Sequence, residues 1–157
     1  IDVDLTGVYR CCRAFGSQML EARRGTIVNV GSIIGAVVGM PGRAPYGAAK
    51  AGLIGLTRVL AVEWADRGVR VNALLPGPVR TPMVLEAIER GIVDEAEVID
   101  HSPAGRMAEP EDVAGAVVVL CDPRAGFVTG QSLAVDGGYS TYGAAHPASR
   151  RYGPPSS

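Results

Sequence analysis

Apolar residues in the first part of the chain recur first at helical spacing and then in a continuous run. Over residues 2–22 they recur at intervals of three and four, which predicts an amphipathic helix. The residues that set this spacing are Val8, Cys12, Phe15 and Met19. The segment Arg23-Arg24-Gly25 predicts the end of the helix, because cations and glycine favour helix C-termini. The apolar run at residues 26–31 is typical of a buried strand.

A second helix is predicted over residues 45–66, after a loop at residues 32–43 that is rich in glycine and proline. Pro45 suits the first turn of this helix, and Gly68 is the expected stop. Its large apolar residues are Leu53, Leu56, Leu60 and Trp64. A small-residue surface on the same helix favours close packing with a neighbour; it consists of Gly47, Ala48, Ala51, Gly52 and Gly55.

The rest of the chain alternates between strand and helix patterns. We predict strands at residues 69–75 and 132–135, with one or two short, mobile helices over residues 82–101. Another helix begins near residue 109, where proline and acidic residues suit a first turn; its apolar positions are Val113, Ala116, Val117 and Leu120. The pattern predicts an α/β fold: a doubly wound parallel sheet of about three strands with four or more helices.

Composition places the chain among ordinary globular domains and excludes several partners. It has 157 residues, 47% of them apolar and 20% charged, and a formal net charge of −1. This charge gives no electrostatic reason to expect nucleic acid or a membrane as a partner. No apolar run has the length of a membrane span and no signal peptide is visible. Because the chain opens at Ile1 inside a helical pattern, we expect a fragment or a processed product.

The three cysteines, Cys11, Cys12 and Cys121, lack the spacing of a metal site. We interpret them as small buried apolar groups in a reducing compartment, which predicts a cytoplasmic protein without a metal.

Candidate chemistry centres on Ser32, Tyr46 and Lys50. Tyr46 and Lys50 are four residues apart, so they share one face of the predicted helix. An ammonium there favours the phenolate over the phenol, which suits proton exchange near neutral pH. Ser32 follows the first predicted strand, at the sheet edge where open α/β folds bind ligands. The arrangement indicates an acid–base site, although a lone Tyr-x-x-x-Lys also occurs on ordinary helix surfaces.

Further motifs follow the other two strands. Pro76-Gly77-Pro78-Val79-Arg80-Thr81 brings free backbone groups and a hydroxyl to the same edge, and Asp136-Gly137-Gly138 follows the last strand. With Ile27-Val28-Asn29-Val30-Gly31-Ser32 and Tyr46-Gly47-Ala48-Ala49-Lys50-Ala51-Gly52, they give the chain its resemblance to a known family. Over residues 2–139 the chain resembles the C-terminal portion of a short-chain dehydrogenase/reductase.

The resemblance implies a role for each matching residue. Tyr46 would be the acid–base for a secondary alcohol or ketone, Lys50 would assist it and bind the nicotinamide ribose, and Ser32 would hold the substrate oxygen. The residues implied to line the nicotinamide of NAD or NADP are Pro76, Gly77, Val79 and Thr81. Among these, the Val79 backbone and the Thr81 hydroxyl would hold the carboxamide.

Two departures from the family pattern stand out. Asp4 occupies a position where relatives usually have asparagine. It could hold a water that links Lys50 to solvent, or it could cap a helix or be a solvated acid. The chain also lacks an opening Gly-x-Gly-x-x-Gly, so we expect residues 1–142 to be the C-terminal part of a partial Rossmann-like domain and residues 143–157 a disordered tail. Such a domain would hold the nicotinamide end of the cofactor alone.

Two hypotheses about function follow. The first is an NAD(P)-dependent oxidoreductase, and the alternative is a catalytically inert truncated domain that at most oligomerises. The resemblance implies a homo-oligomer, a dimer or tetramer, in which the helices at residues 2–22 and 45–66 pair across one interface and residues 132–139 contribute to another.

Three residues outside the motif set carry structural expectations. We expect Asp136 to cap a turn and Arg106 to anchor the loop that returns to the core. Arg80 points toward the expected substrate mouth, and we favour a solvated arginine over a substrate ligand.

Overall fold

Three parallel strands form the single sheet that the computed structural model shows over the described residues, 1–143. They are β1 (Gly25–Val30), β2 (Val69–Pro76) and β3 (Ser132–Val135), in the order β1-β2-β3. The predicted α/β class and the three parallel strands are confirmed, with strand bounds that differ from the prediction by at most one residue. The expected tail lies outside the described residues, apart from Gly143.

Five α-helices accompany the sheet in this part of the chain. They are α1 (Val8–Glu21), α2 (Ala44–Trp64), α3 (Pro82–Glu89), α4 (Glu95–His101) and α5 (Pro110–Cys121). A π-helical turn, Asp2–Gly7, leads directly into α1. Of the one or two short helices predicted over residues 82–101, the structure has two, α3 and α4. No helix within residues 1–143 combines the length and the hydropathy that a membrane crossing needs.

The helices cover both faces of the sheet. Val69 and Val71 of β2 belong to a core cluster with Cys12 of α1 and Leu60 of α2. Arg70 lies between these two valines, so its side chain leaves the opposite face, where it donates to the carbonyl oxygen of Leu120 in α5 at 2.7 Å. The sheet is therefore doubly covered, as its continuous apolar strands predict.

Helix α1 differs from the sequence prediction in which residue it buries. Phe15, predicted to belong to the apolar face, is 60% exposed, whereas the neighbouring Gly16 is buried. A Cβ at Gly16 would lie 2.5 Å from the Trp64 ring, so this ring fills the space that a side chain would need. The inward face of α1 therefore runs through positions 8, 12 and 16, and Phe15 is turned to the outside.

The prediction that all three cysteines are buried is wrong for two of them. Cys12 is buried and donates to the Asn29 side-chain oxygen at 3.4 Å, and burial raises the pKa of its thiol. Cys11 is exposed, because adjacent helical residues differ in direction by about 100°. Cys121 is exposed at the end of α5.

A contact between two glycines joins the loop after β1 to the start of α2. Gly35 has φ +84°, and a Cβ there would lie 2.1 Å from the carbonyl oxygen of Gly47. The residue at position 47 directly follows Tyr46 in the first turns of α2. The backbone of the loop therefore packs against the helix beside the candidate tyrosine, at a distance that excludes any side chain.

Three glycines of this loop provide a graded test of the contact. Gly42→Ala places a side chain at φ +75° with no atom within 4 Å, so we expect it to lower the free energy of unfolding by about 1–2 kcal/mol. Gly35→Ala adds a backbone overlap and should cost clearly more. Gly39→Ala meets neither obstacle and should change stability by less than about 0.5 kcal/mol. Urea denaturation of the three variants measures these costs, and equal losses for Gly35→Ala and Gly42→Ala would refute the importance of the contact.

Candidate active site

The carboxyl ends of the three strands are held together by hydrogen bonds that continue beyond the strands. The Gly31 amide donates to the Leu74 carbonyl oxygen at 2.7 Å, and the Ile33 amide donates to that of Pro76 at 3.2 Å. The Gly77 amide donates to the Val135 carbonyl oxygen at 3.1 Å. The segments that follow β1, β2 and β3 therefore meet at one edge of the sheet.

A cavity of about 330 Å³ lies at this edge. Six of the predicted site residues line it: Ser32, Tyr46, Pro76, Gly77, Val79 and Thr81. They come from the loop after β1, the start of α2 and the segment after β2. Lys50 and Asp4 do not line the cavity.

Lys50 points from α2 toward the end of β1. Its side chain is 11% exposed, and its Nζ donates to the Val30 carbonyl oxygen at 3.1 Å. The same Nζ lies 3.2 Å from Asp4 Oδ1 and 5.6 Å from the centre of the Tyr46 ring. A buried ammonium needs such partners, because desolvation of an unpaired charge is costly. The contacts hold the cation close to the tyrosine.

Asp4 reaches Lys50 from the π-helical turn at the start of the chain. Sequence reasoning considered a water-holding side chain, a helix cap or a solvated acid. The structure shows a direct ion pair with Lys50, and it is Ile1 that precedes the first helical turn. The carboxylate is partly exposed, so it joins the buried ammonium to the surface.

The hydroxyl and amide groups along the cavity retain hydrogen-bonding capacity. Ser32 Oγ accepts from the Ile34 amide at 3.1 Å, and Thr81 Oγ1 accepts from the Val84 amide at 3.4 Å as the N-cap of α3. Each hydroxyl still has its own proton to donate. Within residues 1–143 no acceptor lies in hydrogen-bond range of the Val79 amide. The wall therefore offers three groups to a ligand.

Two turns hold the outer wall of the cavity. Arg106 makes a two-pronged ion pair with Asp112 at 2.6 and 3.0 Å and donates to the carbonyl oxygen of Met107, a wall residue. The expectation that Arg106 anchors this loop is confirmed. Arg106 lowers the pKa of Asp112 from 3.8 to about 2. The ion pair is therefore complete above about pH 4 and is lost as the pH falls through about 2.

Asp136 caps the turn after β3, as predicted. Its carboxylate accepts from the amides of Gly138 at 3.0 Å and Ser140 at 2.9 Å. Burial raises the pKa of Asp136, but hydrogen bonds from Ser140 and the backbone outweigh burial, so the net direction is downward. The capped turn places Tyr139 in the cavity wall. Sequence reasoning did not find Tyr139, because no nearby spacing links it to the catalytic motif.

The arginine at the cavity is not the one considered from the sequence. Arg80 forms ion pairs with Glu95 and with Glu109 and does not line the cavity. Arg43, three residues before Tyr46, does line it. The sequence contained a signal for this residue. Ser, Thr, Asp and Asn are favoured just before a helix, so an arginine at that position is unusual.

A parallel sheet covered by helices on both faces, with its candidate site at the carboxyl ends of the strands, places the chain in the Rossmann-like class of α/β proteins. A family model described as enoyl-(acyl carrier protein) reductase matches residues 1–140. The chain belongs to the short-chain dehydrogenase/reductase family.

Characterised relatives and solved structures agree with this assignment. Galactitol 2-dehydrogenase (L-tagatose-forming) of Cereibacter sphaeroides is 47% identical over 141 residues, which are 89% of this chain and 55% of that protein. The 3-oxoacyl-[acyl-carrier-protein] reductase of Synechocystis is 42% identical over 139 residues, 88% of this chain and 53% of the relative. The structure of ElxO with NADP bound superposes with a TM-score of 0.81 at 34% identity, covering 88% and 55% of the two chains. This chain thus spans about half the length of its relatives.

The Asp4–Lys50 ion pair can be measured by a double-mutant cycle. Combining Asp4→Asn with Lys50→Met should give a coupling energy of about 0.5–1 kcal/mol in thermal or urea unfolding, because the carboxylate is partly exposed. The coupling energy should be smaller in 1 M salt, where the Debye screening length is about 3 Å. The same cycle with Asp2→Asn is the control and should show additivity. Additive effects at Asp4 would contradict the ion pair.

Proposed function

We propose that this chain contains the catalytic part of an NAD(P)-dependent oxidoreductase that transfers a hydride between the nicotinamide and a secondary alcohol or ketone. The observation that carries the proposal is the convergence of Ser32 and Tyr46 on one cavity, with the Lys50 ammonium 5.6 Å from the Tyr46 ring. Relatives that are dehydrogenases and reductases support it.

The groups along the cavity fit a nicotinamide nucleotide. The Val79 amide and the Thr81 hydroxyl can each donate a hydrogen bond to a carboxamide. Lys50 donates one hydrogen bond, to the Val30 carbonyl oxygen, and forms an ion pair with Asp4, so its ammonium still has an N–H donor for a ribose hydroxyl. The structure of ElxO with NADP bound supports the same class of cofactor for this chain.

In this mechanism the chain's own residues manage the proton and the orientation. Nicotinamide, when bound, supplies or accepts the hydride. Tyr46 takes the hydroxyl proton of an alcohol or returns one to a carbonyl, with the Lys50 ammonium held beside its ring. Ser32 donates to the substrate oxygen and stabilises the charge that develops there. Apolar side chains around the cavity exclude water from the reacting groups.

We also propose that the protein acts as a homo-oligomer through α1 and α2. A groove between these helices is lined by Tyr9, Leu56 and Val59, and Val62 nearby on α2 is 83% exposed. Phe15 faces outward on α1. Exposed apolar residues on two adjacent helices are typical of an association surface. A dimer or tetramer built on this surface would bury them.

A cytoplasmic location belongs to the same proposal. Cys11, Cys12 and Cys121 are free thiols in the structure. Unpaired cysteines support a reducing compartment, where disulfides are rare.

Removal of one hydroxyl tests the catalytic proposal. The tests use the natural protein, meaning the polypeptide that the gene encodes. In this protein Tyr46→Phe should lower kcat by about 10²–10⁴-fold, because proton transfer at the substrate oxygen loses its acid–base group. Nicotinamide absorbance at 340 nm measures turnover over a panel of secondary alcohols and ketones.

Tyr9→Phe is the matched control, since it removes the same atom from a residue of α1 outside the catalytic cavity and keeps the ring that the proposed interface would bury. Its turnover should equal that of the unmodified protein, and both variants should unfold at unchanged temperature. Full turnover by Tyr46→Phe would contradict the assigned role. If the natural protein binds neither NADH nor NADPH, the alternative of a catalytically inert domain is favoured.

A charge on α2 tests the association surface. Val62→Asp places a carboxylate on the proposed interface and should shift the natural protein from oligomer to monomer in multi-angle light scattering. Ile92→Asp places the same charge at an exposed apolar residue after α3 and should leave the mass unchanged. A monomeric unmodified protein would contradict the proposal.

A further inference from the structure

The cavity is lined by Tyr46 and Ser32 at one end, and the rest of its wall is mostly apolar. Val38 and Met40 come from the loop after β1, Met83 and Val84 from α3, Val98 from α4, and Met107 from the loop before α5. These side chains cannot form hydrogen bonds with hydroxyl groups. A polyol that binds here would therefore lose its hydrogen bonds to water and gain none in return. The walls favour an apolar substrate body.

Among the described residues that line this cavity, Arg43 supplies the only formal charge. No carboxylate of residues 1–143 lies within ion-pair distance of its guanidinium, whereas Arg80, Arg106 and Arg124 each have an acidic partner. The exposed guanidinium therefore keeps its five N–H donors for solvent or for a ligand.

Helix stability gives no reason for an arginine at this position. Arg43 is the N-cap residue of α2, and its side chain makes no capping hydrogen bond. A cation at the start of a helix is opposed by the helix dipole, and small polar residues are favoured there. The structure thus shows an unpaired cation at a cavity wall, one helical turn before Tyr46, at a local cost to the helix.

We propose that Arg43 is a specificity-determining residue that selects substrates in which an apolar body carries both the reacting oxygen and a carboxylate. The inference rests on the proposed function, since it names the substrate class of the same site. The carboxylate would bind Arg43 through charge-assisted hydrogen bonds, while the alcohol or carbonyl oxygen lies at Tyr46 and Ser32. Oxo- and hydroxycarboxylates meet both requirements, and uncharged polyols do not.

The experiment compares ligands of equal size that differ in charge. In the natural protein, 5-oxohexanoate should have a kcat/KM about 10- to 100-fold above that of 5-oxohexanamide. Arg43→Gln should remove this preference by raising KM for the carboxylate, with kcat and the amide reaction unchanged. Arg43→Lys should retain part of the preference. Arg90→Gln removes a guanidinium that directly follows α3 and does not line the cavity, so this variant should behave like the unmodified protein.

Binding of unreactive ligands separates this inference from the catalytic one. Calorimetric titration with hexanoate and hexanamide should show tighter binding of hexanoate, by about 10-fold or more, and loss of the difference in Arg43→Gln. Tyr46→Phe should keep the difference, so a failed hydride-transfer proposal would leave the carboxylate preference measurable. Equal binding of the two ligands to the unmodified protein, or an equal effect of Arg43→Gln on both, would overturn the proposal.

Discussion

The site depends on the parallel pairing of β1 with β2 and on its continuation past the end of β1. The Gly31 and Ile33 amides extend the ladder on either side of Ser32, so this serine is held between two backbone hydrogen bonds. The last carbonyl of β1 also accepts from Lys50, which fixes the side chain of α2 to the same strand end. The serine and the lysine belong to different elements, and both are therefore held in place by the end of β1. The close approach of Gly35 to Gly47 adds a third constraint by packing the loop onto α2 beside Tyr46.

Much of the fold could be predicted because each strand is a continuous apolar run between helical patterns. The predictions that failed concern the direction of single side chains. Phe15 and Gly16 differ in burial because the Trp64 ring, from a helix almost fifty residues later, occupies the space next to α1. The spacing within α1 contains no information about that ring. Cys11 and Cys121 are exposed for a similar reason, since being apolar and small does not decide which face of a helix a residue occupies.

In the candidate site, too, some features could be predicted from the sequence and others could not. Tyr46 and Lys50 could be identified from four-residue spacing, and the segment after β2 from its position at a strand end. The Asp4–Lys50 ion pair could not, because the π-helical turn Asp2–Gly7 departs from the regular α-helical direction of side chains. Tyr139 could not be assigned to the cavity either, because its segment is far in the sequence from the catalytic motif. Arg43 could have been noticed, since an arginine is unusual at the N-cap of a helix.

The helices α3 and α4 contain no buried residue, although both contribute side chains to the cavity wall. They are attached at their ends, by the Thr81 cap and by the ion pair between Arg80 and Glu95. Substitutions along these helices can therefore accumulate without loss of the sheet, while the strand ends that support the chemistry tolerate few changes. The cavity wall can therefore change while the frame beneath it stays the same, and this is a region in which the substrate range of related proteins can diverge.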